Sequence, residues 1–305
     1  MTRYLVVRLA GAAATLLAVL TFVFVLVRLA GDPVRLMMPD QATAAEVEAV
    51  REALGLNRPL IVQYWDFLTS ALGGSLGDSL RQGRPALEVV LERMPATLEL
   101  AFLSFAIGFA AAVALAATAE VAGSKRLRGL FLWIATARQS APPFLFGIVM
   151  VLILSVNLGL LPAIGRNSWL SYVIPVLTIS TFEIALYLRL IGSAFDEMRE
   201  ADWVRTARAK GVSRPRLVLR HMLPNALLPV VTVAGINLGV LIGGLVVLET
   251  VFNWPGLGRL IIDSVNNRDF PVVQAGVLAI AASFIVINLA VDFLYAALDP
   301  RVRLA

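Results

Sequence analysis

The 305-residue sequence contains no cysteine and one histidine, His221. Without cysteine it has neither a disulfide framework nor a thiolate metal site. A single histidine cannot supply the H-E-x-x-H pair of a metalloprotease, so no metal ligand is assigned. No G-x-x-x-x-G-K-[ST] loop occurs, and the glycine-rich "GGSLGDSLRQG" lacks the lysine that would hold phosphates. No nucleophile elbow is assigned either. The chain is therefore expected to carry no catalytic residue and to bind no cofactor. Charge is also scarce, at 15% of residues, and lysine occurs only at Lys125 and Lys210. The arginine bias suggests a GC-rich bacterial genome.

What fills the chain is apolar: 59% of residues are hydrophobic and the mean hydropathy is +0.82. Windows of about 19 residues pick out apolar segments near 9–30, 98–119, 130–156, 171–194, 226–250 and 274–297. Helix is the element that satisfies its own backbone in lipid, and no ladder of alternating strands competes. The sequence predicts an all-α polytopic membrane protein with six transmembrane helices. The first apolar run ends in "VRLAGDP" rather than a small-residue cleavage site, so an uncleaved span is favoured over a signal peptide. The net charge of +5 follows from basic loops beside spans, which disfavours nucleic acid as a partner.

Short-loop arginines set orientation. Arg3, Arg8, Lys125, Arg126, Arg128, the run after 194, and Arg301 and Arg303 all fall on one side, which places both termini in the cytoplasm. The domain organisation follows: 1–30 is the cytoplasmic end and first span, 31–94 an extracytoplasmic segment, 95–298 five further helices, and 299–305 a cytoplasmic tail. In the outer segment, Thr43 and Glu46 form a capping box ahead of Val47, Val50 and Leu54, with Gly55 as C-cap. Pro59 to Leu72 reads as a second short helix, lying at the membrane interface as a cover over the bundle.

Three features stand out within the spans. Gly235, Gly239 and Gly243 recur every four residues, which suits close helix packing, or contact with a second membrane subunit. Arg138, Glu183, Arg189, Asn237, Glu249, Asn288 and Asp292 are polar groups at or near membrane depth. Of these, Glu183 and Asn237 are the deeper candidates for lining a polar route. Between the fourth and fifth spans, "ADWVRTARAKGVSRPRLVLRHMLPNALLP" gathers Arg205, Arg208, Lys210, Arg214, Arg216 and Arg220 around an apolar stripe. Acidic residues lead and basic residues end a predicted short helix, and Gly211 supplies its turn. Excess arginine could simply hold topology against anionic lipid, which leaves the Gly and Pro punctuation unexplained. The apolar face of that helix needs a cover.

That punctuation resembles the loop of binding-protein-dependent ABC importer permeases: E-A-A, three residues, G, nine residues, I-x-L-P. Arg205-Thr206-Ala207 stand at the E-A-A positions, Gly211 at the glycine, and His221-Met222-Leu223-Pro224 at the last group. The match at Ala207, Gly211, Leu223 and Pro224 keeps the family spacing. Arg205, Thr206 and His221 depart from the general pattern, and "VRTARAKG" followed by "NALLPV" looks like the dipeptide, oligopeptide and nickel branch, where Thr and Arg commonly replace the acidic residue. "LGLNRPLIVQYWDFL", "RMPATLELA", "APPFLFGIVMVLIL" and "ETVFNWPGLGRLIIDSVNNRDFPVVQ" extend the resemblance over nearly the whole length.

The resemblance implies a type I ABC importer transmembrane fold in the bacterial inner membrane, with this chain as the first, B-type permease of a heterodimer. It further implies two ATPase subunits that bind ATP and Mg, and an extracytoplasmic substrate-binding protein. A coupling loop at about 199–224 would contact the ATPase through Thr206, Ala207, Arg208, Ala209, Lys210 and Gly211. Di- or oligopeptides are the expected cargo, with nickel, glutathione or haem as alternatives. A stand-alone secondary transporter is the rival from another class, but neither inverted repeats nor an ion-binding broken-helix pair is evident. A membrane enzyme has still less support.

Overall fold

A computed structural model describes residues 2–29, 34, 42–53 and 55–298. The expected tail at 299–305, with Arg301 and Arg303, lies outside the described residues, as does most of 30–41. Among the described residues the regular structure is helical, apart from one isolated bridge between Asp78 and Pro85.

Eleven helices organise the described residues: α1 (Thr2–Leu29), α2 (Ala44–Ala53), α3 (Leu60–Leu72), α4 (Ala86–Ala122), α5 (Lys125–Gln139), α6 (Pro143–Met150), α7 (Val173–Arg199), α8 (Asp202–Ala209), α9 (Leu223–Val251), α10 (Leu257–Asn266) and α11 (Phe270–Leu298). A π-turn, Val151–Asn157, extends α6, and Arg214–Arg216 with a π-turn at Leu217–Met222 leads into α9. Five helical runs are long and apolar enough to cross a membrane, and six if the bent pair α5/α6 counts as one span. Many of their large apolar side chains are exposed, among them Phe22, Ile107, Val240 and Phe293. Beside lipid such exposure carries no hydrophobic cost.

The apolar window at 130–156 predicts one straight span, but the chain bends there by 93°. Ala141-Pro142-Pro143 is the cause. The residue before a proline is driven out of the helical region, and Pro142 sits at φ −53°, ψ 136°. Arg138 fills the break. Its guanidinium donates to the Ala141 carbonyl (3.3 Å), the Thr178 carbonyl (2.8 Å) and Thr181 Oγ1 (3.1 Å), and lies 3.7 Å over the Phe146 ring.

The chain divides into two compact units, Met1–Thr97 with Pro255–Ile285, and Leu98–Trp254 with Val286–Ala305. In the first, Leu20, Ala86, Val89, Val90, Leu257, Val272 and Ala275 form the core. The capping box of α2 is present: the Thr43 amide donates to Glu46 Oε2 (2.8 Å) and the Glu46 amide to Thr43 Oγ1 (3.3 Å). The Gly55 amide closes that helix on the Glu52 carbonyl (3.0 Å). Helix α3 packs on α1, with Tyr64 Oη 2.7 Å from Thr21 Oγ1 and the Tyr64 ring edge-on to Phe24. Helix α4 starts at Ala86, ahead of the apolar window at 98, because Pro85 opens it and Val89 and Val90 bury one face.

The second unit centres on Tyr187, Ile191, Phe195, Leu217, Met222, Ala226 and Val230. Tyr187 is fully buried, edge-on to Phe109 with ring centroids 5.3 Å apart. Gly108 lets α4 approach α7, since a Cβ there would lie 2.9 Å from the Ser180 carbonyl oxygen.

Candidate functional site

The basic loop after α7 folds as one short amphipathic helix held between two structured flanks. Asp202 occupies the first turn of α8 and Arg208 the last, the order the helix dipole favours. At its end the Lys210 amide donates to the Thr206 carbonyl (3.0 Å), the Gly211 amide to Arg208 (2.9 Å) and the Val212 amide to Ala207 (3.1 Å). This is the Schellman arrangement, which requires a left-handed residue just past the helix; Gly211 provides it at φ +76°. A short eight-residue helix is marginal alone, so its closure depends on this cap and on packing.

The sequence leaves the apolar face of α8 in need of a cover, and the chain itself supplies one. Val204 is fully buried, and Ala201, Ala207 and Val212 pack against the core of the second unit. The opposite face is exposed: Trp203, Arg205, Thr206, Arg208, Ala209, Lys210 and Gly211. Of the six residues assigned to partner contact, five are exposed and Ala207 is half-buried, turned toward the core. Thr206 Oγ1 donates to the Asp202 carbonyl (2.9 Å), so its methyl group is what the surface gains.

The end of the loop pattern is likewise a helix entry. Leu217, Val218 and Met222 are buried, Leu223 packs on the core, and His221 and Pro224 are exposed. Pro224 has no N–H to return to the preceding turn, and the helix accommodates it with the π-turn. The Asn225 side-chain amide donates to the His221 carbonyl (2.6 Å).

Glu183 and Asn237 come together, on α7 and α9. The Asn237 amide donates to the Glu183 carboxylate and to Tyr187 Oη (2.8 Å), and Tyr187 Oη donates to Glu183 Oε2 (3.1 Å). Glu183 is buried and Asn237 half-buried. Sequence reading did not include Tyr187, whose α-helical spacing of four from Glu183 was the available signal.

The glycine stripe on α9 divides. Gly235 is packing: an added Cβ would overlap the side chain of Val291 on α11. Gly239 is buried, whereas Gly243 is exposed and Gly244 faces open space.

Comparison with known proteins sets these features in a family. Residues 106–304 match the family described as the binding-protein-dependent transport system inner membrane component, and residues 1–101 match the N-terminal region of such membrane components. The glutathione transport system permease protein GsiC of Pectobacterium atrosepticum is 44% identical over 99% of both chains, that of Salmonella typhimurium 43% and that of Escherichia coli K12 41%. A solved structure of the MetNI methionine ABC transporter, in inward-facing conformations, aligns with a TM-score of 0.55 at 20% identity. That alignment covers 69% of this chain and 96% of the other, and shows the shared fold.

Proposed function

This chain belongs to the family of binding-protein-dependent transport system inner membrane components, and from that premise we propose that it carries short peptides across the membrane. It is a multi-pass permease of an ABC importer with the type I fold. Glutathione, named in the relatives that match it over 99% of their length, is itself a tripeptide, so cargo of that size and chemistry is the reading the likeness favours.

The exposed face of α8 carries the mechanistic part of the proposal. A partner ATPase grips Thr206, Arg208, Ala209, Lys210 and Gly211 while Val204, Ala207 and Val212 hold the helix to the bundle. Closure of the ATPases on ATP then moves α8 as a rigid piece, and the attached helices tilt with it. In this scheme a second, homologous permease completes the pathway, two ATPases bind ATP and Mg, and an extracytoplasmic binding protein delivers the cargo. Both termini lie in the cytoplasm, on the side of α8. Glu183 and Asn237 contribute to the polar lining of the route, and the exposed Gly243–Gly244 face of α9 is open to the second permease.

Reconstitution of both permeases and both ATPases in vesicles, with the binding protein added, tests the cargo. ATP-driven accumulation of glutathione or dipeptides, abolished when the binding protein is omitted, is expected. Uptake of nickel or haem in preference to either peptide would overturn the assignment.

A further inference from the structure

Glu120 lies two residues before the end of α4 and is only 3% exposed, yet it meets both flanks of the loop that bears α8. From the N-terminal flank, Arg199 at the end of α7 donates to both carboxylate oxygens of Glu120, one through Nε at 3.0 Å. From the C-terminal flank, Arg214 Nε donates to the Glu120 backbone carbonyl at 2.9 Å, with Nη2 3.8 Å from the carboxylate. That carbonyl is in the last turn of α4, where no intrahelical donor remains for it apart from the Gly123 cap, so Arg214 also serves as a C-cap.

The surrounding structure keeps this arrangement in place. Gly123 is left-handed at φ +66°, and a Cβ there would overlap the Arg214 guanidinium. Arg199 also donates to Asp196 (2.6 Å), and Asp196 accepts a two-pronged pair from Arg128 of α5 (2.6 and 2.5 Å). Arg128 in turn lies against Gly192, 3.2 Å from where its Cβ would be. A buried carboxylate is tolerated only when its charge is paired and its oxygens are satisfied. Among the described residues, the hydrogen bonds that Glu120 accepts from side chains come from Arg199 and Arg214, which bracket the loop.

We propose that Glu120 is a positioning residue: it clamps both ends of the 199–214 loop to the end of α4, so that force on α8 moves α4 and α7 together. The proposal rests on the reading of α8 as the ATPase docking helix. Glu120 is buried, whereas the docking residues of α8 are exposed, so its loss leaves docking possible and weakens transmission.

The test uses the complete reconstituted complex and compares Glu120→Gln, Arg214→Gln and the double variant with wild type. The readouts are co-purification of the ATPases, stimulation of ATP hydrolysis by loaded binding protein, and substrate imported per ATP. Glu120→Gln is expected to keep the ATPases bound and to lower import per ATP by about tenfold, the scale of an ordinary coupling free energy. Arg214→Gln, at a side chain half in solvent, should shift coupling in the same direction. The double variant should fall no further than Glu120→Gln alone, because both act through one clamp. Should Glu120→Gln fail to assemble, Arg214→Gln decides. Wild-type coupling in Arg214→Gln overturns the clamp, and wild-type ATPase co-purification and coupling after charge reversal at the exposed Arg208 and Lys210 overturn the docking reading beneath it.

Discussion

Substitution at Gly211 separates backbone strain from bulk. The residue stands at φ +76°, and nothing lies within 4 Å of the position a Cβ would take. Alanine therefore meets no steric clash within the chain, and its whole cost is the left-handed conformation, about 1–2 kcal/mol for a residue with a Cβ. Asparagine tolerates that conformation better. Relaxing instead would release the two bonds from the Gly211 and Val212 amides, each worth about 1 kcal/mol. If docking requires the capped form, alanine weakens it by a factor of about 5 to 30. The expected order of import per ATP in reconstituted vesicles is Gly, then Asn, then Ala, then Leu. Membrane insertion should be unchanged across the series. Normal transport by Gly211→Leu would refute the turn, and equal loss in Asn and Ala would refute strain as its basis.

Further substitutions probe the helices beneath. Asn237→Ala leaves Glu183, among the described residues, with the hydrogen bond from Tyr187, and we expect altered transport with the ATPases still bound; unchanged uptake in both Asn237→Ala and Glu183→Ala would remove the pair from the route. Gly235→Val should abolish accumulation of folded protein by colliding with Val291, and adding Val291→Ala should restore part of it. Thermal unfolding in detergent reads the effect, and an undisturbed single variant would disprove the close approach.

Local features of this fold were legible in the sequence where their causes are local. The capping box at Thr43 and Glu46, the helix opened by Pro59 and the turn at Gly211 each depend on residues within a few positions. The broken pair α5/α6 was less visible, because a hydropathy window averages across Ala141-Pro142-Pro143 even though the prolines themselves dictate the bend. The early start of α4 escaped the same window, since its first turns are amphipathic. Burial of Val204 and Ala207 was hidden for another reason: the periodicity shows that α8 has an apolar face but not what covers it. Glu120 was beyond reach altogether, as its partners Arg199 and Arg214 are 79 and 94 residues away.

The face assigned to α8 can be tested directly because the chain has no cysteine of its own. A single cysteine at Lys210 or Arg208, both exposed, should cross-link to a cysteine-bearing ATPase partner in membranes, with a yield that changes when ATP is added. A control cysteine at exposed Arg58, in the outer segment, should give no such adduct. Cross-linking from Arg58 but from neither Lys210 nor Arg208 would contradict the assignment of this loop as the ATPase docking helix.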